Sequence, residues 1–153
     1  MSAFQEHRSA ASAAETLRAM VLVRAPLDLV ATASRFVLDE LAHVEICARL
    51  AMELGGAAPL WHDPRKVIHE GDARLSPLLE AADLVVRNYC VEESIAAPML
   101  RATHRAATVP LVKAVLGVLA RDEATHAGLG WAFLDWAADA LTEADRVNRK
   151  SVV

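Results

Sequence analysis

Two short segments of the chain place a glutamate and a histidine three residues apart, Asp39-Glu40-Leu41-Ala42-His43 and Asp122-Glu123-Ala124-Thr125-His126. Each lies in an apolar, alanine-rich stretch that favours helix, and residues i and i+3 share one face of a helix. Carboxylate oxygens and imidazole nitrogens together suit first-row transition metals. A single Glu-x-x-His pair is usually an exposed polar pair. Two pairs on two helices predict a dinuclear metal site inside a helical bundle.

Such a site needs two more carboxylates, one from each remaining helix. On the third helix Glu93 lies within about 20° of the centre of the apolar stripe, whereas Glu92 lies about 80° away. On the first helix Glu6 shares the apolar face, whereas Glu15 shares a face with two arginines. The distance along the helix from the inter-helix turn to Glu6 or Glu93 agrees within about 5 Å with the distance from that turn to the Glu-x-x-His pair on the partner helix. For Glu15 the two distances differ by about 8 Å.

The predicted ligand set contains four carboxylates, which balance the charge of two divalent cations. It stays open whether Glu15 or Glu92 takes the place of one of the predicted ligands. The set is Glu6, Glu40, His43, Glu93, Glu123 and His126.

Three further residues have a predicted role beside the ligands. A metal-bound histidine usually donates its second N–H to a carboxylate, so Asp39 and Asp122 are each predicted to serve the histidine of the opposite helix; the alternative is a solvated acid. Tyr89, one turn before Glu93, is the candidate catalytic residue, as a hydrogen-bond or redox group, with core packing as the alternative. Pro98 should kink or divide the third helix.

Four helices are predicted from periodicity and from start and stop residues, over residues 2–23, 26–54, 76–105 and 108–141. The first pair and the last pair are joined tightly, so each pair should be antiparallel. The connector 55–75 is long enough to let the second and third helices run parallel, and it could gate access or contact a partner. The predicted fold is therefore an all-α four-helix bundle with one long crossover, with residues 1–141 as the domain and 142–153 as a polar tail.

Composition excludes several classes of function. The chain has 153 residues and a formal net charge of −4, which gives no basic footprint for nucleic acid. The sequence contains no run of about 18 apolar residues, so no membrane span is predicted. No signal peptide is visible, so a cytoplasmic location is expected. Two cysteines do not make a disulfide framework, and both are predicted to pack as small apolar residues.

With these residues in place the chain resembles the ferritin-like di-iron carboxylate proteins, and most of all the small bacterial ferritin-like domain proteins. Besides the two Asp-Glu-x-x-His strings, the resemblance rests on Gln5-Glu6-His7 and Cys90-Val91-Glu92-Glu93-Ser94. It implies two iron ions, or a manganese/iron pair, held by the six predicted ligands.

The resemblance also implies O₂ or peroxide chemistry, here on an unknown small substrate. An external electron donor is expected, because the chain has no rubredoxin-like Cys-x-x-Cys module. The alternative functions are a ferroxidase that stores or detoxifies iron and a non-catalytic helical module. A homodimer is left open.

Overall fold

The computed structural model describes residues 2–56, 63, 72, 74–142 and 145, and within these residues the chain is helical and contains no strand. The structure confirms an all-α bundle of four helices. The third of them is composite, because a π-helical segment joins α3 to α4 without a break. The elements are α1 (Ala3–Leu22), α2 (Leu27–Glu53), α3 (Pro77–Val85), the π-helix (Val86–Glu92), α4 (Glu93–Ala106) and α5 (Pro110–Ala140).

Two of the predicted helix starts are capped by serine side chains. The Gln5 N–H donates to Ser2 Oγ at 3.3 Å before α1, and the Leu79 N–H donates to Ser76 Oγ at 3.4 Å before α3. Each cap satisfies one of the backbone donors that the first turn of a helix leaves free. Ser76 also donates to Asp145 at 3.1 Å, which ties one residue of the tail to the bundle.

Tight backbone turns end α1 and α2. Arg24 adopts a left-handed φ of 56° between the two helices, and Gly55 adopts a φ of 82° after α2. Glycine is favoured in this region because it has no Cβ. Most of the connector 55–75 and most of the tail 142–153 lie outside the described residues, so the roles predicted for them stay predictions.

The helices form a closed ring in which α1 packs on α2 and α3, and α5 packs on α2 and on the composite third helix. One apolar cluster includes Met20, Phe36, Val85 and Phe133. A second cluster of Leu100, Leu116, Leu119 and Ala120 lies further along the bundle. Along α5 the buried Glu123 and His126 come between these clusters, so the bundle has a polar layer between two apolar ones.

The π-helix is the main departure from the predicted elements. α4 continues through Pro98 to Ala106, so the third helix is not divided at Pro98, and the kink predicted there stays a prediction. The departure from α-helical geometry ends just before Glu93. Asn88, within the π-helix, donates to Thr16 Oγ1 of α1 at 2.8 Å. Gly130 of α5 lies so close that a Cβ there would be 2.8 Å from Cys90 Sγ. Contacts from both neighbours therefore hold the π-helix in place.

Among the described helices none is both long enough and apolar enough to cross a membrane.

Candidate metal centre

The structure brings the six predicted ligands together in the polar layer. Their exposed fractions are small, from 1% for His43 and His126 to 7% for Glu93. The side chains form two overlapping groups, and within each group one potential ligand atom per residue lies within 4.8 Å of the others. The groups are Glu6, Glu40, His43 and Glu123, and Glu40, Glu93, Glu123 and His126.

Glu40 and Glu123 belong to both groups, and each uses its two oxygens differently. Glu40 Oε2 lies 3.7 Å from His43 Nδ1, and its Oε1 lies 3.2 Å from His126 Nδ1. Glu123 repeats this arrangement, with Oε1 at 3.6 Å from His43 Nδ1 and Oε2 at 2.9 Å from His126 Nδ1. Each of these carboxylates can therefore bind two ions at once.

Glu6 and Glu93 each belong to one group only. Glu6 Oε2 lies 3.7 Å from His43 Nδ1, and Glu93 Oε1 lies 3.8 Å from His126 Nδ1. The centroids of the two imidazole rings are 6.3 Å apart. The six side chains thus make two similar half-sites, each with one histidine, one carboxylate of its own and two shared carboxylates.

Both aspartates lie beside the histidine of the opposite helix. Asp122 Oδ2 of α5 lies 3.2 Å from His43 Nε2, and Asp39 Oδ2 of α2 lies 3.5 Å from His126 Nε2. An ionised carboxylate only accepts hydrogen bonds, so each contact favours a proton on Nε2. The Nδ1 lone pair can then face the carboxylates as a metal ligand.

Burial and mutual charge displace the pKa values of the cluster. Burial, with the charges of Glu40 and Glu123, raises the pKa of Glu6 to about 7. Burial also raises the pKa of Glu93 to about 8, assisted by Glu123. Burial likewise opposes the ionised form of Glu40, but its ion pairs with His126 and His43 outweigh burial and lower the pKa of that carboxyl.

The pKa values of both histidines are shifted in the direction opposite to the one that burial alone would cause. Burial would lower the pKa of His43, but its ion pairs with Glu40, Asp122 and Glu123 raise it to about 9. For His126 the ion pairs with Glu123, Glu40 and Glu93 outweigh burial and raise the pKa to about 12. Protons therefore partly neutralise the cluster of acids when no cation does so.

The donor set fits a pair of divalent transition-metal ions. Several buried atoms that face the cluster make no hydrogen bond within the described part of the chain: Glu6 Oε1, Glu40 Oε2, Glu123 Oε2 and the Nδ1 atoms of His43 and His126. Buried polar atoms are normally paired, and ion coordination would supply the partners. Mixed oxygen and nitrogen donors suit iron, manganese or zinc.

The two alternative ligands lie elsewhere. The Glu92 side chain is 48% exposed and forms an ion pair with Arg8 at 3.6 Å. The Glu15 side chain pairs with Arg18 at 3.3 Å. Neither residue belongs to the two groups, so within the described residues the geometry favours Glu6 and Glu93.

Aromatic side chains cover one side of the centre. The Phe36 ring lies 3.9 Å from the His126 ring, centroid to centroid, and 5.5 Å edge-on from Tyr89. Tyr89 is 2% exposed, and its hydroxyl makes no hydrogen bond within the described residues. Burial and the charges of Glu93 and Glu40 raise its pKa, so the phenol stays neutral.

Two residues beside the centre, Phe36 and Cys47, have no role in the site predicted from the sequence. Phe36 lies four residues before Glu40, and Cys47 lies four residues after His43, so helical spacing could have identified both. Cys47 is half-buried and unpaired as a free thiol. Burial and the charges of Glu6 and Glu40 raise its pKa to about 11, so it is a poor nucleophile.

A cavity of about 570 Å³ lies between α1 and α4 and reaches the centre. Glu6, Glu93 and Glu123 form part of its lining, whereas neither histidine does. Exposed residues, including Ser2, Ile95 and Met99, line its outer part, so the cavity opens at the surface. A small molecule could therefore approach the centre from the side of Glu6 and Glu93.

No protein-family model, curated protein or solved structure matches the chain.

Proposed function

We propose that this protein is a non-haem dinuclear metalloenzyme of the ferritin-like type, an O₂- or peroxide-dependent oxidase or oxygenase acting on a small substrate. The metals proposed are two iron ions, or a manganese/iron pair. The observation that carries the proposal is the pair of shared carboxylates. Glu40 and Glu123 each present one oxygen to each histidine.

The order of contacts along the helices supports the ferritin-like topology with a crossover. Phe36 packs on Tyr89, Glu40 and Glu93 meet around His126, and Cys47 packs against the apolar cluster that contains Leu100. Contacts that advance in the same direction along α2 and the composite third helix, which lie diagonally across the bundle, favour parallel helices. A connection between two parallel helices must span the length of the bundle, as in ferritin-like folds.

Each ligand of the cluster has a chemical use in this proposal. Glu6 and His43 would hold one ion, Glu93 and His126 the other, and Glu40 and Glu123 both. Bound iron would supply the reduction of O₂ or peroxide. Asp122 and Asp39 hold the proton on Nε2 of each histidine and so fix the orientation of the rings. Phe36 excludes water beside His126.

The cavity favours an enzyme over an iron-storage protein. Its volume, about 570 Å³, is in the range of pockets for small organic molecules. Its walls include apolar side chains such as Leu100 and Leu116. These walls suit an organic substrate.

Anaerobic titration with Fe(II), followed by exposure to O₂ and observed by absorbance, tests the proposal. We expect saturation near two ions per chain and then an oxygen-dependent charge-transfer band. Binding of fewer than one ion per chain, with no rise in melting temperature, would instead indicate a non-catalytic helical module. Loading of many irons per chain in a large assembly would indicate iron storage.

A further inference from the structure

The cavity between α1 and α4 has a composition that restricts the charge of what it can bind. Its inner end is formed by Glu6, Glu93 and Glu123, and its wall by apolar side chains that include Ala96 and Met99. The remaining polar lining consists of hydroxyl and amide groups and the carboxylate of Glu92. No lysine, arginine or histidine lines the cavity within the described residues.

The arginine that contacts the lining residue Glu92 is already engaged in that ion pair. Arg8 pairs with Glu92 at 3.6 Å, so these two charges offset each other at the rim. At the inner end, two divalent ions would neutralise the four carboxylates of the centre, two of which are Glu6 and Glu93. A carboxylate or phosphate ligand would then add a buried negative charge without a cationic side chain to pair it, and that burial is costly.

We propose that the cavity is the substrate site and that it selects an uncharged molecule with an apolar body and one terminal oxygen or nitrogen. This inference rests on the proposed function. The apolar body would lie against Ala96, Met99 and Leu100 of α4, and the polar end would point to the side of the centre occupied by Glu6 and Glu93. The histidine side is closed to it, because Asp122 and Asp39 occupy the outer nitrogens of both rings.

Octan-1-ol and octanoate test the selectivity, because they share a chain length and differ in charge. Zinc-loaded protein is used, since zinc occupies the centre without redox turnover. Isothermal titration calorimetry should give one octan-1-ol per chain with a dissociation constant below about 1 mM, and binding of octanoate at least about tenfold weaker. Equal or tighter binding of octanoate, or no binding of octan-1-ol, would overturn the proposal.

Two substitutions locate the ligand in this cavity. Ala96→Phe fills the cavity wall without altering a proposed metal ligand, and should weaken binding of octan-1-ol at least about tenfold. Ala102→Phe is the matched control, because Ala102 is an exposed residue of the same helix that does not line the cavity. Ala102→Phe should leave the dissociation constant unchanged. Equal binding by wild type and Ala96→Phe would place the ligand elsewhere.

A third variant tests the charge rule even if Ala96→Phe disturbs the fold. Met99 is 63% exposed, so Met99→Lys should fold normally and add a cation to the wall. We expect it to bind octanoate about two- to fivefold more tightly than wild type does, as for an exposed ion pair; weaker binding of octanoate by Met99→Lys than by wild type would contradict the charge argument.

Zinc content measured on the same samples separates the two proposals. Two zinc ions without octan-1-ol binding would end the substrate-site inference alone. Octan-1-ol binding in a chain that holds no metal would end the proposed function alone.

Discussion

Glu40 of α2 and Glu123 of α5 contact both histidines of the centre in the same way, with a different oxygen for each histidine. Each carboxylate has one oxygen within 3.7 Å of His43 Nδ1 and the other within 3.2 Å of His126 Nδ1. Glu6 and Glu93 have no such double contact. The four acids therefore differ in function even though all are buried.

The first prediction follows from that difference. Glu40→Gln or Glu123→Gln should lower metal content to well below one ion per chain, because each removes a charged ligand from both half-sites. Glu6→Gln or Glu93→Gln should leave about one tightly bound ion, because only one half-site loses a ligand. Elemental analysis after dialysis measures this, with Glu15→Gln and Glu92→Gln as controls that should retain two ions. Equal loss in all four ligand variants would contradict the assignment of shared carboxylates.

A second prediction concerns the carboxylates behind the histidines. Asp122→Asn keeps the size of the side chain but removes the charge that holds the proton on His43 Nε2, so metal affinity should fall about 10- to 100-fold. Asp39→Asn should have a smaller effect, since the contact of Asp39 with His126 is longer, 3.5 Å against 3.2 Å. Competition with a chelator measures both affinities. An unchanged affinity in Asp122→Asn would mean that Asp122 is only a surface acid.

The sequence alone was sufficient for the helices and for the convergence of the ligands, because helical periodicity determines which face is buried. Glu93 rather than Glu92, and Glu6 rather than Glu15, followed from angle and depth along the helix. The π-helix could not be predicted in this way, since it depends on contacts of Asn88 and Gly130 with other helices. The cavity was also missed, because its walls come from helices whose packing no single periodic pattern specifies.

A third prediction is that the metal-free protein loses stability as pH rises from about 4.5 to 9. Folding raises the pKa of His43 from 6.5 to about 9 and that of Glu6 from 4.5 to about 7. A group with a raised folded pKa stabilises the fold when protonated, and this contribution is lost as pH rises through the folded value. The pKa of Glu40 is lowered from 4.5, so the contribution of Glu40 to stability changes with pH only below this range.

Melting temperatures of metal-free and zinc-loaded protein across this range test the prediction. The zinc-loaded protein should become more stable as pH rises, because protons compete with metal for the same atoms. Glu6→Gln should show a shallower fall in the metal-free form, since its side chain stays neutral at every pH. A metal-free protein that becomes more stable toward pH 9 would show that the cluster is not held by these protons.

A fourth prediction concerns the close approach of α5 to the π-helix. Gly130→Ala would place a Cβ 2.8 Å from Cys90 Sγ and 3.0 Å from Tyr89 Cβ, so the π-helix must move. We expect a loss of about 1–3 kcal/mol in the free energy of unfolding, as for overpacked cores. Gly128→Ala is the matched control, because a Cβ there meets no atom within 4 Å and should stabilise the helix by about 1 kcal/mol. Urea unfolding that ranks the two variants equally would contradict the close packing.

The fifth prediction uses the Tyr89 hydroxyl, which is buried beside the centre without a hydrogen bond among the described residues. An unpaired buried hydroxyl costs about 1–3 kcal/mol, so Tyr89→Phe should make the metal-free protein at least as stable as wild type. If the hydroxyl gains a partner when Glu93 binds metal, the rise in melting temperature on zinc loading should be smaller in Tyr89→Phe. Phe36→Leu is the control, because it alters packing beside Tyr89 and His126 but no hydroxyl, and should lower both melting temperatures. An identical zinc-induced rise in Tyr89→Phe and wild type would leave Tyr89 as a packing residue only, because a hydroxyl coupled to the centre must respond when the charge there changes.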